Sequence, residues 1–132
     1  MRLAQLNDVD GRLTLLEQCD PDSLKRHLPP RSFVLSDCEG AELDILYPSL
    51  VPNLRTCDIL VELHDFLRPG LRSVILQRFA ATHHAQIIEQ QERNGANYSQ
   101  LGFLSAKNRH MAVQECRPAR MQWAMFTSKV EE

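Results

Sequence analysis

The sequence predicts an α/β fold in which parallel strands alternate with helices and the sheet closes in a C-terminal antiparallel hairpin. Two apolar runs carry the prediction. Phe33-Val34-Leu35 leads into Ser36-Asp37-Cys38-Glu39-Gly40-Ala41-Glu42, and Ile59-Leu60-Val61 leads into Glu62-Leu63-His64-Asp65. Continuous apolar character suits strands covered on both faces. The third observation is order: strand, helix, strand, long helix, strand argues for parallel pairing. Two closing runs with no helix between them argue for an antiparallel edge.

Taken in sequence, Leu13 to Cys19 reads as a first strand after Gly11-Arg12. Asp20-Pro21-Asp22-Ser23 opens a helix, with Asp as the cap, Pro at the first helical position and an acid in the first turn. Pro29-Pro30 stops it, because proline cannot continue a helix. Ser32 to Asp37 is a strand, and Ala41 to Leu50 a helix with Ala41, Ile45 and Leu46 on one stripe. Pro52 to Thr56 is a loop and Asp58 to His64 the next strand. Pro69 starts the longest helix, running to about His83, whose Leu71, Val74, Ile75, Phe79 and Thr82 recur at three and four. Ala85 to Glu89 is a short strand, and residues 92–108 are loop with one or two turns. Met111 to Glu115 and Met121 to Phe126 form the arms of the closing hairpin, linked by Cys116 to Arg120.

Composition narrows the classes. The chain has 132 residues, read as a single domain (1–132) with a real core. Its 15 Lys+Arg against 17 Asp+Glu give a net charge of −2, so there is no electrostatic footprint for nucleic acid or an anionic membrane. Aromatics at 6% offer no base-stacking platform. No apolar stretch approaches the roughly 20 residues of a membrane helix, and residues 1–8 lack the apolar core of a signal peptide. The expectation is a cytoplasmic protein. The four cysteines at 19, 38, 57 and 116 form no C-x-x-C pair; reduced thiols are expected and structural zinc is not.

The acidic strand ends are the candidate site, because ligands bind at the carboxyl ends of strands in open α/β sheets. Asp37 or Glu39 alone reads as a cap for the following helix, but one acceptor suffices for a cap and two flank Gly40. Alternation puts Glu62 and His64 on one face and Leu63 and Asp65 on the other. His64 is open to three readings: a general base, a metal ligand or a hydrogen-bonded structural residue. His83-His84 reads as a cation at a helix end. Glu115 with Arg117 reads as an ion pair, Arg93, Arg109 and Arg120 as solvated, and Trp123 as core.

Asp37-Cys38-Glu39-Gly40-Ala41-Glu42 resembles the D-x-E-G-x-E signature of FkbM-type methyltransferases, and Leu60-Val61-Glu62-Leu63-His64-Asp65-Phe66 resembles their next strand, commonly ending in Glu-x-His. The closing segments around Glu115 to Pro118 and Gln122 to Phe126 are similar to the terminal antiparallel hairpin of such folds. The resemblance spans about Leu13 to Phe126. It implies a partial Rossmann-like methyltransferase sheet, strands four to seven of seven, forming the C-terminal, substrate-side half. It also implies S-adenosylmethionine as cofactor and a small-molecule or sugar hydroxyl as acceptor. The glycine-rich turn that cradles the cofactor in that family has no counterpart before residue 33. By the resemblance, His64 and Asp37 are catalytic, Asp37 and Glu39 line the cofactor pocket, and Glu62 and Asp65 face the acceptor. A variant places magnesium or manganese on Asp37, His64 and Asp65, as in some metal-dependent O-methyltransferases. The alternative is a non-catalytic module that associates, with a second copy among the candidates, through an exposed sheet edge. A third reading, a metal-dependent hydrolase on the same strand ends, has no H-E-x-x-H motif behind it.

Overall fold

The computed structural model describes residues 2–115, 117 and 119–130. Its elements are α1 (Arg2–Leu6), α2 (Pro21–His27), β1 (Phe33–Ser36), α3 (Glu42–Ile45), β2 (Asp58–Leu63), α4 (Leu71–Phe79), β3 (His83–Glu89), α5 (Ala106–Val113) and β4 (Gln122–Ser128), with short 3-10 turns between several of them. The four strands form one open sheet in the order β1-β2-β4-β3. β1 pairs with β2 in parallel, Val34 opposite Ile59. β4 runs antiparallel to both neighbours, with Phe126 opposite Ile59 on one side and Ala85 on the other. β2 and β3 therefore point the same way, with the last strand inserted between them. The fold is mixed α/β, as read from the sequence, but β1 and β2 are the one pair among the described strands that is parallel; the parallel pairing expected of the third strand gives way to β4.

One face of the sheet holds the core. Ile59, Val61 and Leu63 of β2 and Ala124 and Phe126 of β4 are buried there beneath α4, whose Leu71, Ile75 and Phe79 recur every fourth residue and are fully buried. Burying those three side chains contributes about 5–9 kcal/mol as an upper figure. Leu24 of α2 and Leu43 and Ile45 of α3 pack against the same cluster. Asp20 caps α2 as its sequence implies, accepting the Ser23 amide at 2.6 Å.

Several expectations are corrected. Leu13 to Cys19 forms no strand; an extended run needs a partner ladder, and Leu13, Leu15 and Leu16 stand exposed. The helix expected over Ala41 to Leu50 is regular only from Glu42 to Ile45, with turns carrying the chain on toward Pro48. The longest helix begins at Leu71 and ends at Phe79, so Thr82 and His83 lie beyond it, and Val74 is part-exposed. The expected closing hairpin does not form. Met111 to Val113 belongs to α5, capped by Ser105, and β4 pairs with β2 and β3 instead. Of the expected link, Cys116 and Pro118 lie outside the described residues. Nor is β1 covered on both faces: Phe33 and Leu35 are 61% and 70% exposed on the face away from the helices. Trp123, expected in the core, is half-buried on that open face too.

Candidate functional site

The site sits where β1 and β2 end side by side. Alternation carries Asp37 onto the open face with Leu35, and Glu62 and His64 onto the same face of β2. The register Leu35↔Leu60 brings the first tip level with the second. Beyond Ser36 the chain reverses through two residues in the left-handed region, Glu39 at φ 51° and Gly40 at φ 97°. A non-glycine residue there costs about 1–2 kcal/mol, so Glu39 is held under strain. Gly40 is required twice over, because a Cβ at that position would stand 3.1 Å from Cδ of Arg68. Arg68, from the loop after β2, donates to Gly40 O at 3.0 Å and to Asp44 Oδ2 at 2.6 Å, tying the two tips together.

Glu42, the first residue of α3, is fully buried. Its Oε1 accepts the Cys38 amide at 2.7 Å and lies 3.0 Å from Nδ1 of His64. A carboxylate acceptor at Nδ1 makes that nitrogen the donor, and in the neutral ring this leaves the Nε2 lone pair facing outward. There it meets three carboxylates: Asp37 Oδ1 at 3.5 Å, Glu39 Oε2 at 3.5 Å and Glu62 Oε1 at 3.9 Å. The ring is almost wholly buried, whereas Asp37 and Glu39 are exposed. Neither Asp37 nor Glu39 caps α3, whose N-cap is Ala41 with no side-chain hydrogen bond. The capping reading of the two acids is thereby set aside.

Glu62 is buried on the same face. Its Oε2 accepts Nε1–H of Trp123, its cross-strand partner, at 3.1 Å, and its Oε1 is bonded by the Arg117 guanidinium. Arg117 also pairs with Glu115 at 2.7 Å, the ion pair read from the sequence. The Glu115 carboxylate above all, with help from Glu62, holds the guanidinium's proton more firmly than usual, against the opposing effect of burial. Beyond Arg117 opens a cavity of about 710 Å³ lined by polar groups including Gln90, Arg93, His110 and Gln114. Arg93 and Arg120, expected to be solvated, border it and pair with Glu115 and Glu89 respectively.

Asp65 stands apart. Its oxygens accept the amides of Gly70 and Arg72 at 3.1 Å each, securing the start of α4. It is not among the donors that converge: those are Asp37, Glu62 and His64, with one ligand atom each and all within 4.8 Å of one another. The cation variant built on Asp65 is therefore corrected to Glu62. His83 is no helix-end cation either. It opens β3, buried, with Nε2 at 2.8 Å from Cys57 O and Nδ1 at 2.8 Å from the Thr82 hydroxyl, edge-on to Phe79. Burial pushes its pKa down despite the Cys57 carbonyl. Cys19, Cys38 and Cys57 are free thiols.

Sequence reasoning missed Glu42 and Arg117 as members of the site. A lone glutamate among helix formers reads as solvated, and only its place four residues after Cys38 hints that it turns back into the loop. Arg117 reaches Glu62 from 55 positions away, and no local pattern encodes that. No protein family, curated protein or solved structure matches this chain. No helix among the described residues is long and apolar enough to cross a membrane.

Proposed function

We propose that this chain is the acceptor-side part of an S-adenosylmethionine-dependent O-methyltransferase domain of the FkbM type. The observation that supports it most is His64: its Nδ1 is fixed by buried Glu42 while Nε2 faces Asp37 3.5 Å away across the tips of two parallel strands. The parallel pair β1 and β2, joined through α3, and the antiparallel last strand support this reading, while the terminal hairpin that the resemblance implies is replaced by β4 pairing with β2 and β3. Methyl transfer to a hydroxyl needs the acceptor oxygen in line with the sulfonium carbon and its proton removed as the new C–O bond forms. The Nε2 lone pair is placed for that proton, a contribution of about 10²–10⁴-fold, with positioning supplying more. Asp37 and Glu39 would line the cofactor side of the site, and Glu62, bridged by Arg117 to the polar cavity, would face a hydroxyl-bearing acceptor such as a sugar.

The test is transfer of labelled methyl from S-adenosylmethionine to a panel of hydroxylated small molecules by the full-length protein. His64→Gln is expected to lower turnover about 10²-fold or more in protein shown to be folded at the assay temperature. Full activity in a His64→Gln, Asp37→Asn double variant would end the assignment. This chain by itself is expected to bind S-adenosylhomocysteine weakly in calorimetric titration. A second reading, association through a sheet edge, draws on the exposed Phe33 and Leu35 of β1, which among the described residues pairs on one side only.

A further inference from the structure

We infer that Asp37, Glu62 and His64 form a binding site for a divalent cation of the manganese or zinc class. The carboxylates alone would not carry this. The independent observation is the imidazole: His64 is almost wholly buried, and its Nε2 makes no hydrogen bond among the described residues while aimed into the acidic cluster. Behind it, Glu42 accepts Nδ1–H, the carboxylate–histidine arrangement that fixes the tautomer of metal-bound imidazoles.

The spacing suits an ion. Ligand atoms about 2.1 Å from a divalent cation stand about 3.0 Å apart at a right angle and about 3.4 Å apart at the tetrahedral angle. Nε2 is 3.5 Å from Asp37 Oδ1 and 3.9 Å from Glu62 Oε1, and all three ligand atoms lie within 4.8 Å of one another, so closure on an ion draws the carboxylates inward. Asp37 is exposed and free to move, and Glu39 stands beside it at 3.5 Å from Nε2. One imidazole with two carboxylate oxygens favours manganese or zinc over calcium, which prefers an all-oxygen shell. Arg117 is the competitor. Its guanidinium now occupies Glu62 Oε1, and it is partly exposed, so it can swing out when an ion arrives.

The consequence for catalysis rests on the methyl-transfer reading, but the site does not. With an ion on Nε2 the ring would serve as a ligand in place of the base, and the cation would supply the acidification of the acceptor hydroxyl. The test is Mn²⁺ alone, titrated into the protein by calorimetry and by loss of the free-ion electron paramagnetic resonance signal. One ion per chain is expected. Asp37→Asn, at an exposed side chain that leaves the fold intact, and His64→Gln should each weaken binding about tenfold or more, and Glu42→Gln about 10–100-fold. Arg117→Gln should tighten it by removing the competing cation. No binding, or binding unchanged in Asp37→Asn and His64→Gln, overturns the site. The titration contains neither S-adenosylmethionine nor acceptor. Its failure therefore leaves His64 as base standing, whereas absent transfer with intact Mn²⁺ binding counts against the methyltransferase reading alone.

Discussion

Replacing Glu42 tests the site at its root. Glu42 Oε1 serves two donors, the part-buried Cys38 amide at 2.7 Å and the buried His64 Nδ1–H at 3.0 Å. Glu42→Ala leaves both unpaired, and each buried unpaired donor costs about 1–3 kcal/mol. Against this, the wild-type Oε2 is itself buried without a partner, so removing the carboxylate relieves part of its own desolvation. The net expectation is a loss of about 2–4 kcal/mol, a large share of the roughly 5–15 kcal/mol of a domain. That corresponds to about 8–16 °C in melting temperature for a chain of this size. Glu42→Gln keeps an acceptor in place and should cost about half as much, since it loses only the charge-assisted part of each bond. The assay is urea unfolding followed by fluorescence of Trp123, the chain's one tryptophan, with the slope checked for constancy. A ¹⁵N spectrum of the His64 ring supplies the second readout, with Nδ1 protonated in the wild type. If Glu42→Ala lay within 1 kcal/mol of wild type, or if Nε2 carried the proton, the argument that Glu42 sets the lone pair outward would be wrong.

Two further outcomes follow from the rest of the fold. His83 is buried with its pKa pushed below its ordinary 6.5, so the unfolded chain takes up its proton first as the pH falls. Stability from this residue is complete above about pH 6.5 and declines below it, by up to about 1.4 kcal/mol per pH unit until the folded group titrates. Chemical unfolding at pH 8 to 5 should therefore show a steeper decline for wild type than for His83→Gln; parallel curves would show that the fold leaves the ring's proton affinity unchanged. At the outer edge of β1, Leu35→Lys places a charge where an unpaired edge invites association. Size-exclusion chromatography with light scattering should find self-association in the wild type that the variant abolishes, and a monomeric wild type at high concentration would remove the edge-association reading.

The two strand tips were legible because an apolar run ending in acids is a local signal, and the crevice they form needed only adjacency of two parallel strands. Their neighbours were not. Met111-Ala112-Val113 is a short apolar run that suits helix and strand alike; Ser105, which accepts the Asn108 amide, is the cap that decides for the helix. Leu13 to Cys19 has strand-like composition, but a strand exists only if another edge is free to pair with it, and composition cannot reveal that. The place of β4 between β2 and β3 was hidden for the same reason. Pairing over some sixty residues is a tertiary choice. His83 was misplaced because its environment, Phe79, Phe126 and the Cys57 carbonyl, comes from three separated segments.

The energetics of the cluster bear on why it exists. Three carboxylates crowd one imidazole, Glu39 adopts a left-handed backbone and Glu42 keeps an unpaired buried oxygen. Each lowers stability, and an apolar pair of similar volume at positions 42 and 64 would satisfy the core at least as well. A purely structural role for His64 would be met by two ordinary hydrogen bonds, as it is for His83 at the far end of the sheet. His64 has one such bond and turns its other nitrogen toward negative charge. That asymmetry between two buried histidines in one small sheet is what separates a site from a core: the carboxylates gathered at Nε2 favour a bound cation there, and nothing in the packing of the described residues requires them.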